Sequence, residues 1–165
     1  MMKNGKKSQE DIREMVKDIQ FAIICTINQK GNVHSRPMGT QGIDSDGNIW
    51  FLTAKDSEKV SEIKKNPNVC VSYADPSENT YICIMGEAEE VNDQRKINEC
   101  WTPIAKAWIP KGKDDPNLTL IKVKSEEAEY WDSDSNKLVV GIKMLSTLMT
   151  GKKYENENAY GTVKF

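Results

Sequence analysis

The sequence has few of the residues on which metal sites and nucleophilic catalysis usually depend. Histidine occurs once, as His34, and this excludes His-rich metal sites and most metal-hydrolase arrangements. His34 and Ser35 are neighbours in a segment with an extended pattern, so their side chains should point to opposite faces rather than form a triad. The cysteines, Cys25, Cys70, Cys83 and Cys100, have no CxxC spacing and lie within or beside apolar runs. We therefore expect buried, reduced thiols rather than disulfides or a metal site.

An excess of positive charge and a long apolar run are also absent. Lys and Arg number 23 against 25 Asp and Glu, a net charge of −2 at pH 7. This balance excludes a general basic surface for nucleic acid, although a local basic pocket is compatible with it. No segment approaches the ~18 apolar residues of a membrane span. Residues 1–12 contain lysines but no apolar core, so we expect no signal peptide there and a cytoplasmic protein.

The length of 165 residues is typical of one domain, and no repeat or Pro/Gly/Ser-rich linker divides the chain. We predict a single domain over residues 1–165 with its core at about 8–143, and no assignment for the polar tail after Gly151. Strands are predicted at 21–27, 33–43, 49–53, 69–73, 81–85, 118–123, 128–132 and 138–142. Helices are predicted from Ser8, over 58–65, over 93–101 and from Thr102. Because the strands come in hairpins, the pattern favours a mainly β (α+β) fold, an antiparallel sheet or small barrel with peripheral helices.

One positional pattern is typical of a phosphate site. Ser57 and Lys59 lie at the start of a predicted helix, directly after a strand that ends at Thr53. The free N–H groups and partial positive charge of a helix N-terminus attract phosphate, and Lys59 adds a full charge. Hairpin pairing brings the strand that carries Arg36 to the same region, and a guanidinium binds phosphate in bidentate fashion. The same residues are also compatible with a simple helix cap and solvated charges.

Several runs, in this order, resemble the pyridoxamine 5′-phosphate oxidase-like split-barrel flavoproteins. They read RPMGTQ (36–41), WFLTAKDSEK (50–59), NPNVCVSY (66–73) and YICIMGEAEEVND (81–93). A further run, WIPKGKDDPNLTLIKVKSEEAEYWD (108–132), is similar to the bacterial general stress protein branch of that family. Each run alone is weakly specific, whereas their order and spacing over about residues 8–143 are fairly specific.

The resemblance implies an antiparallel split β-barrel that forms a homodimer with FMN at the subunit interface. From the single histidine and the cysteine spacing, we expect no metal site. The residues expected to bind the cofactor are Arg36, Pro37, Met38, Gln41, Phe51, Leu52, Thr53, Ser57, Lys59 and Trp108. Glu58 stands where the oxidases often carry an arginine, which removes one positive charge from the phosphate site. Trp101 and Trp108 are similar to aromatic residues on interface helices of this branch, where stacking on the flavin and ordinary packing are both open. Trp131 is expected to be structural.

The resemblance leaves more than one function open. One is a flavin-dependent oxidoreductase that acts on a small molecule with a nicotinamide as electron donor. The other is a non-catalytic FMN-binding stress protein that buffers or senses flavin. A true pyridoxamine 5′-phosphate oxidase is less favoured, because that reaction must hold a second phosphate. Residues 151–165, GKKYENENAYGTVKF, contain no arginine, histidine or tryptophan for this purpose.

Overall fold

The computed structural model describes residues 7–132 and 160–165. Its helices are α1 (Gln9–Val16), α2 (Glu58–Lys65), α3 (Gln94–Cys100) and α4 (Ala105–Trp108). Its strands are β1 (Phe21–Ile27), β2 (Val33–Ile43), β3 (Asn48–Ala54), β4 (Asn68–Asp75), β5 (Thr80–Val91), β6 (Leu118–Asp132) and β7 (Tyr160–Lys164). The predicted hairpins and the helix that follows β3 are therefore present.

The strands form a single antiparallel sheet that closes on itself. Their order is β3-β2-β1-β4-β5-β6-β7, and β3 also pairs with the first half of β6. This additional pairing makes a barrel of β1 to β6, while β7 extends the sheet along the second half of β6. The mainly β, antiparallel split-barrel fold predicted from the sequence is confirmed.

Alternate residues of the strands fill the barrel interior. Ile24, Val71 and Ile84 lie opposite one another on β1, β4 and β5, and all are fully buried. Helix α1 begins with the capping box that the sequence predicts. It packs Ile12 and Val16 against the same core. The core therefore joins the barrel strands to the first helix.

A second apolar cluster lies on the other face of β3. Trp50 and Leu52 belong to it, whereas the intervening Phe51 belongs to the barrel core. Helices α3 and α4 contribute Ile97 and Ala105 to the second cluster. This packing places α4 and the segment after it beside β3, where a cavity is found.

Strand β6 is continuous, whereas the sequence predicts separate strands at 118–123 and 128–132. The register between β5 and β6 shifts after Met85, and Glu126 of β6 is skipped in the pairing. Such a bulge lets a strand continue through a polar stretch, at the cost of one unpaired residue. The apolar pattern of the sequence is interrupted at this polar stretch, which is why the sequence predicts two strands instead of one.

Other boundaries also differ from the prediction. Helix α4 begins at Ala105 rather than near Thr102, although the Thr102 hydroxyl accepts the Ala105 N–H as a capping side chain does. Strand β7 forms from tail residues for which the sequence supports no assignment. The strand predicted at 138–142 lies outside the described residues.

The cysteines are free thiols, but only Cys100 is buried, while Cys25, Cys70 and Cys83 are half-buried. The expected burial therefore holds fully for Cys100 alone. Within 7–132 and 160–165, no group of three or more His, Cys, Asp and Glu side chains could hold a metal ion. In the same part of the chain, no helix is long and apolar enough to cross a membrane.

Candidate functional site

A cavity of about 370 Å³ lies between β2, β3, α2, α4 and the segment after α4. Its lining includes six of the residues expected to bind a cofactor: Met38, Gln41, Leu52, Thr53, Lys59 and Trp108. Cavities of this size, mostly apolar with a few polar groups, are typical of small-molecule sites. Residues that are far apart in sequence thus meet at one place.

The polar corner of the cavity is formed by Thr53 and Lys59, which line it, together with the adjacent Ser57, which does not line it. Lys59 Nζ donates a hydrogen bond to Thr53 Oγ1 at 3.1 Å, and Thr53 Oγ1 lies 3.4 Å from Ser57 Oγ. Ser57 occupies the N-cap position of α2, yet its side chain makes no capping hydrogen bond. The partial positive charge at this helix end is therefore not offset by its own cap, and it adds to the charge of Lys59.

The surroundings of Lys59 disfavour its positive charge. Burial lowers the pKa of Lys59 below its ordinary value, and the positive charge of Arg36 lowers it further. The carboxylates of Glu62 and Glu58 act in the opposite direction. An anion bound against Lys59 would favour the charged form and so offset both the cost of burial and the repulsion from Arg36. The polar corner is therefore suited to an anionic group.

Arg36 does not line the cavity, because a buried carboxylate holds its guanidinium. Arg36 Nη2 donates to Glu62 Oε2 at 2.8 Å, and Nη1 donates to the hydroxyl of Thr26. The Thr26 hydroxyl in turn donates to Glu62 Oε2 at 2.6 Å. His34 Nδ1 lies 2.8 Å from Glu62 Oε1. We refer to Thr26, His34, Arg36 and Glu62 as the Glu62 network.

Glu62 is the functional candidate that sequence reasoning missed. It is only 5% exposed. Burial alone would raise the pKa of Glu62, but hydrogen bonds with Thr26, His34 and Arg36 lower it to about 2. The carboxylate is thus ionised at neutral pH and balances the charge of Arg36. The one signal in the sequence is that His34 and Arg36 lie two residues apart on β2, so that both face one anion.

The tryptophans take different positions relative to the cavity. Trp108 lines it, is 71% exposed, and meets Phe21 edge to face with ring centroids 6.2 Å apart. Trp101 packs against the second apolar cluster instead. Trp131 lies 5.4 Å from Tyr160 on the β6–β7 part of the sheet. Of these, Trp108 is the one placed to contact a ligand.

Two of the expected residues turn their side chains away from the cavity. Phe51 is fully buried in the barrel core. Pro37 is exposed on β2, on the opposite face from Met38. Successive side chains of a strand point to opposite faces, so the neighbours Leu52 and Met38 line the cavity instead.

Gln41 connects the cavity wall to the segment before α4. Its Nε2 donates to the carbonyl oxygen of Gly39 at 3.0 Å, and its Oε1 accepts from Thr102 Oγ1 at 3.4 Å. Hydrogen bonds to Gly39 and from Thr102 therefore orient both ends of the Gln41 carboxamide. Gln41 thus lines the cavity in a defined conformation.

A family model and several known proteins match most of the chain. A model of the family described as pyridoxamine 5′-phosphate oxidase like matches residues 7–155. General stress protein 26 of Bacillus subtilis (strain 168) is 31% identical over 132 residues, which cover 73% of this chain and 88% of that protein. The solved structure of general stress protein 26 from Bacillus anthracis str. Sterne is 26% identical with a TM-score of 0.66, and the match covers 74% of this chain and 92% of that one. The general stress FMN/FAD binding protein from Xanthomonas citri is also 26% identical with a TM-score of 0.66, covering 76% of this chain and 89% of that one.

Proposed function

The chain belongs to the pyridoxamine 5′-phosphate oxidase-like family, and from this premise we propose that it binds FMN with the phosphate in the polar corner of the cavity. The observation that carries the proposal is the 3.1 Å hydrogen bond from Lys59 to Thr53 beside the uncapped N-terminus of α2. A desolvated ammonium, two hydroxyls and a helix N-terminus form a donor set that suits a phosphate monoester. The Xanthomonas citri relative is described as binding FMN/FAD, which supports a flavin as the ligand.

The apolar part of the cavity suits the flavin ring. Met38 and Leu52 line it from β2 and β3, and Trp108 lines it from α4. Aromatic and aliphatic side chains bind a flat ring through burial and stacking. When bound, FMN would supply the electron-transfer chemistry, while these residues would orient the ring and exclude water.

Flavin titration tests this assignment. Flavin-free protein is titrated with FMN and with riboflavin, which lacks the phosphate, while flavin fluorescence or absorbance is recorded. We expect FMN to bind at least about tenfold more tightly, because charge-assisted hydrogen bonds to the phosphate add to ring binding. Equal affinity for the two flavins, or no binding of either, would contradict the proposal.

We also propose that a second copy of the chain covers the cavity. Trp108 is 71% exposed, and the nearby Ile104, Phe21 and Ile23 are 53%, 45% and 41% exposed. Large apolar side chains grouped at the surface mark an interface, and two-fold dimers are the commonest oligomers. Light scattering at low micromolar concentration should give about twice the chain mass of 18.7 kDa. A monomer that binds FMN tightly would contradict a shared site.

The proposed activity is that of an FMN-dependent oxidoreductase, with a nicotinamide donor and a small-molecule acceptor. Hydride transfer to a flavin depends on alignment of donor and ring more than on a side-chain acid. The test is steady-state oxidation of NADH or NADPH by the FMN-loaded protein with dye or oxygen as acceptor. Absence of turnover would reject the oxidoreductase and leave the non-catalytic FMN-binding protein, because FMN titration measures binding independently.

Efficient pyridoxamine 5′-phosphate oxidation is not part of the proposal. The last described residues, 160–165, are packed on the sheet: Val163 is buried, and the Phe165 ring covers the turn at Gly47. They supply no arginine or histidine for a second phosphate. We expect negligible pyridoxal 5′-phosphate formation from the FMN-loaded protein in the presence of oxygen. A saturable rate of product formation would overturn this expectation.

A further inference from the structure

We propose that Glu62 is a positioning residue of the phosphate site, which acts by fixing the guanidinium of Arg36 against α2, the helix that carries Lys59. This inference rests on the FMN binding proposed above. It assigns a role to a buried carboxylate that touches neither the cavity nor the expected ligand.

The contacts of Arg36 leave its guanidinium little freedom. Its side chain is 15% exposed, with Nη2 bonded to Glu62 and Nη1 to Thr26. A guanidinium carries five N–H donors in a planar fork, so bonds from both terminal nitrogens set the direction of the others. An arginine held in this way loses less side-chain entropy when a ligand arrives.

The charges explain why a carboxylate is needed near a site for an anion. The Arg36 guanidinium is close enough to Lys59 to disfavour its positive charge, whereas Glu62 favours that charge. Two cations held together without a ligand repel each other, and Glu62 offsets part of that repulsion. Glu62 can therefore help to keep Lys59, which lines the cavity, and Arg36, which lies behind the cavity wall, in place before the ligand binds.

The Glu62 network also attaches α2 to the β1–β2 hairpin. Thr26 belongs to β1 and Arg36 to β2, while Glu62 belongs to α2. Lys59 precedes Glu62 by three positions on α2, and residues with this spacing lie on one face of a helix. Anchoring Glu62 therefore fixes Lys59 and the α2 N-terminus relative to Arg36.

A purely electrostatic role of Glu62 predicts the opposite sign. A carboxylate near a phosphate repels it, so removing the charge should strengthen FMN binding. Positioning predicts that removing the charge releases Arg36 and weakens binding. Glu58 is a matched control, because it lies on the same helix, is exposed, and also acts on the charge of Lys59.

The experiment compares E62Q with E58Q. The dissociation constants of FMN and riboflavin are measured for both variants and for the unmodified chain, and circular dichroism checks that each variant is folded. We expect E62Q to reduce the FMN-over-riboflavin preference by about 5- to 10-fold, as expected for a weakened charge-assisted contact, with riboflavin affinity unchanged. E58Q removes a negative charge near the phosphate site without releasing Arg36, so it should increase the preference. An E62Q variant with an unchanged or increased preference would overturn the proposal.

A second comparison tests whether Glu62 acts through Arg36. In an R36A background, the E62Q change should cause no further loss of FMN preference, because its target is absent. A full additional loss would show that Glu62 acts by another route and would overturn the proposal. Should E62Q not fold, Thr26→Val removes the bridging hydroxyl and should lower the preference in the same direction, and an unchanged preference there would also overturn it.

The two proposals fail in distinguishable ways. If the unmodified chain shows no preference for FMN over riboflavin, the proposed phosphate site is wrong and this inference is rejected with it. If the unmodified chain prefers FMN but E62Q retains the full preference, the phosphate site stands and only the role of Glu62 is rejected.

Discussion

Lys59 and Arg36 carry the same charge, but Lys59 lines the cavity whereas Arg36 does not, and their surroundings differ. Arg36 is paired with the buried carboxylate of Glu62 at 2.8 Å. Among residues 7–132 and 160–165, Lys59 donates a hydrogen bond to the neutral hydroxyl of Thr53 and to no carboxylate. Burial lowers the pKa of Lys59, whereas the pKa of Glu62 is held at about 2 by the partners that surround it.

This difference in charge compensation predicts different effects of the two residues on folding and on ligand binding. The charge of Arg36 is compensated inside the protein, so its removal leaves a buried carboxylate without its cation. In the described part of the chain, no carboxylate contacts the Lys59 ammonium directly. Removing this charge should therefore cost the free protein little stability, but it should weaken the binding of an anion. A variant at Arg36 should therefore affect stability as well as FMN binding, whereas a variant at Lys59 should affect FMN binding alone.

The largest expected effect is that of Arg36→Ala on stability. Removing one partner of a buried ion pair costs about 3 kcal/mol of unfolding free energy, and FMN affinity should fall about 10- to 150-fold. Urea unfolding and flavin titration measure the two effects. An Arg36→Lys variant keeps the charge without the fork and should recover part of the stability. Unchanged stability in Arg36→Ala would contradict the assigned role of the Glu62 network.

The Glu62 network also predicts a loss of stability in acid. The pKa of Glu62 is about 2 in the folded protein against an ordinary value of 4.5. Because the folded-state pKa is the lower one, this contribution is complete above pH 4.5 and is lost as the pH falls towards 2. The difference in unfolding free energy between the unmodified chain and E62Q should therefore shrink across that window. A constant difference would contradict an ionised Glu62.

The effect of Lys59→Ala should fall on binding rather than on stability. We expect FMN affinity to fall by about 1.5–3 kcal/mol, because one charge-assisted bond is removed, with little change in riboflavin affinity or unfolding free energy. Lys64→Ala, on the exposed end of the same helix and paired with Glu90, is the control and should change none of these values. Unchanged FMN affinity in Lys59→Ala would contradict the assignment of the phosphate to the polar corner.

The smallest expected effect concerns the apolar part of the cavity. Trp108→Ala should weaken FMN and riboflavin equally, by about 0.5–1.5 kcal/mol, because an aromatic contact with the ring does not depend on the phosphate. Flavin titration measures it, and Trp131→Ala serves as the control because Trp131 contacts Tyr160 instead. An effect on FMN alone would show that Trp108 acts on the phosphate end.

Much of the barrel could be predicted because its signals are local. Alternating apolar residues bounded by turns identify β1 to β5, and the Ser8 capping box identifies α1. The meeting of Thr53, Ser57 and Lys59 was also predictable, since all three lie within one strand–helix connection. Strand β7 could not be predicted, because Gly161 and the preceding polar residues weaken its apolar pattern. Its stability comes instead from pairing with β6.

The partner of Arg36 could not be predicted from local pattern. Glu62 follows Arg36 by 26 positions, and the two meet only after α2 packs on the barrel. The neighbouring Ile63 already accounts for the buried face of α2, and an ionised carboxylate is rarely buried unless it is paired. Burial of Glu62 follows from its three hydrogen-bond partners. The spacing of His34 and Arg36 indicates that these two share a face of β2, but not that Glu62 meets them.

The most direct test of the FMN site is phosphorus NMR of FMN bound to the flavin-free protein, recorded as a function of pH. Free phosphate monoesters take up a proton with a second pKa of about 6. A phosphate held by Lys59, Thr53 and the α2 N-terminus should remain dianionic, so its signal should not titrate between roughly pH 5 and 8. In Lys59→Ala the titration should return. A bound signal that titrates like free FMN in the unmodified chain would place the phosphate in solvent and contradict the site.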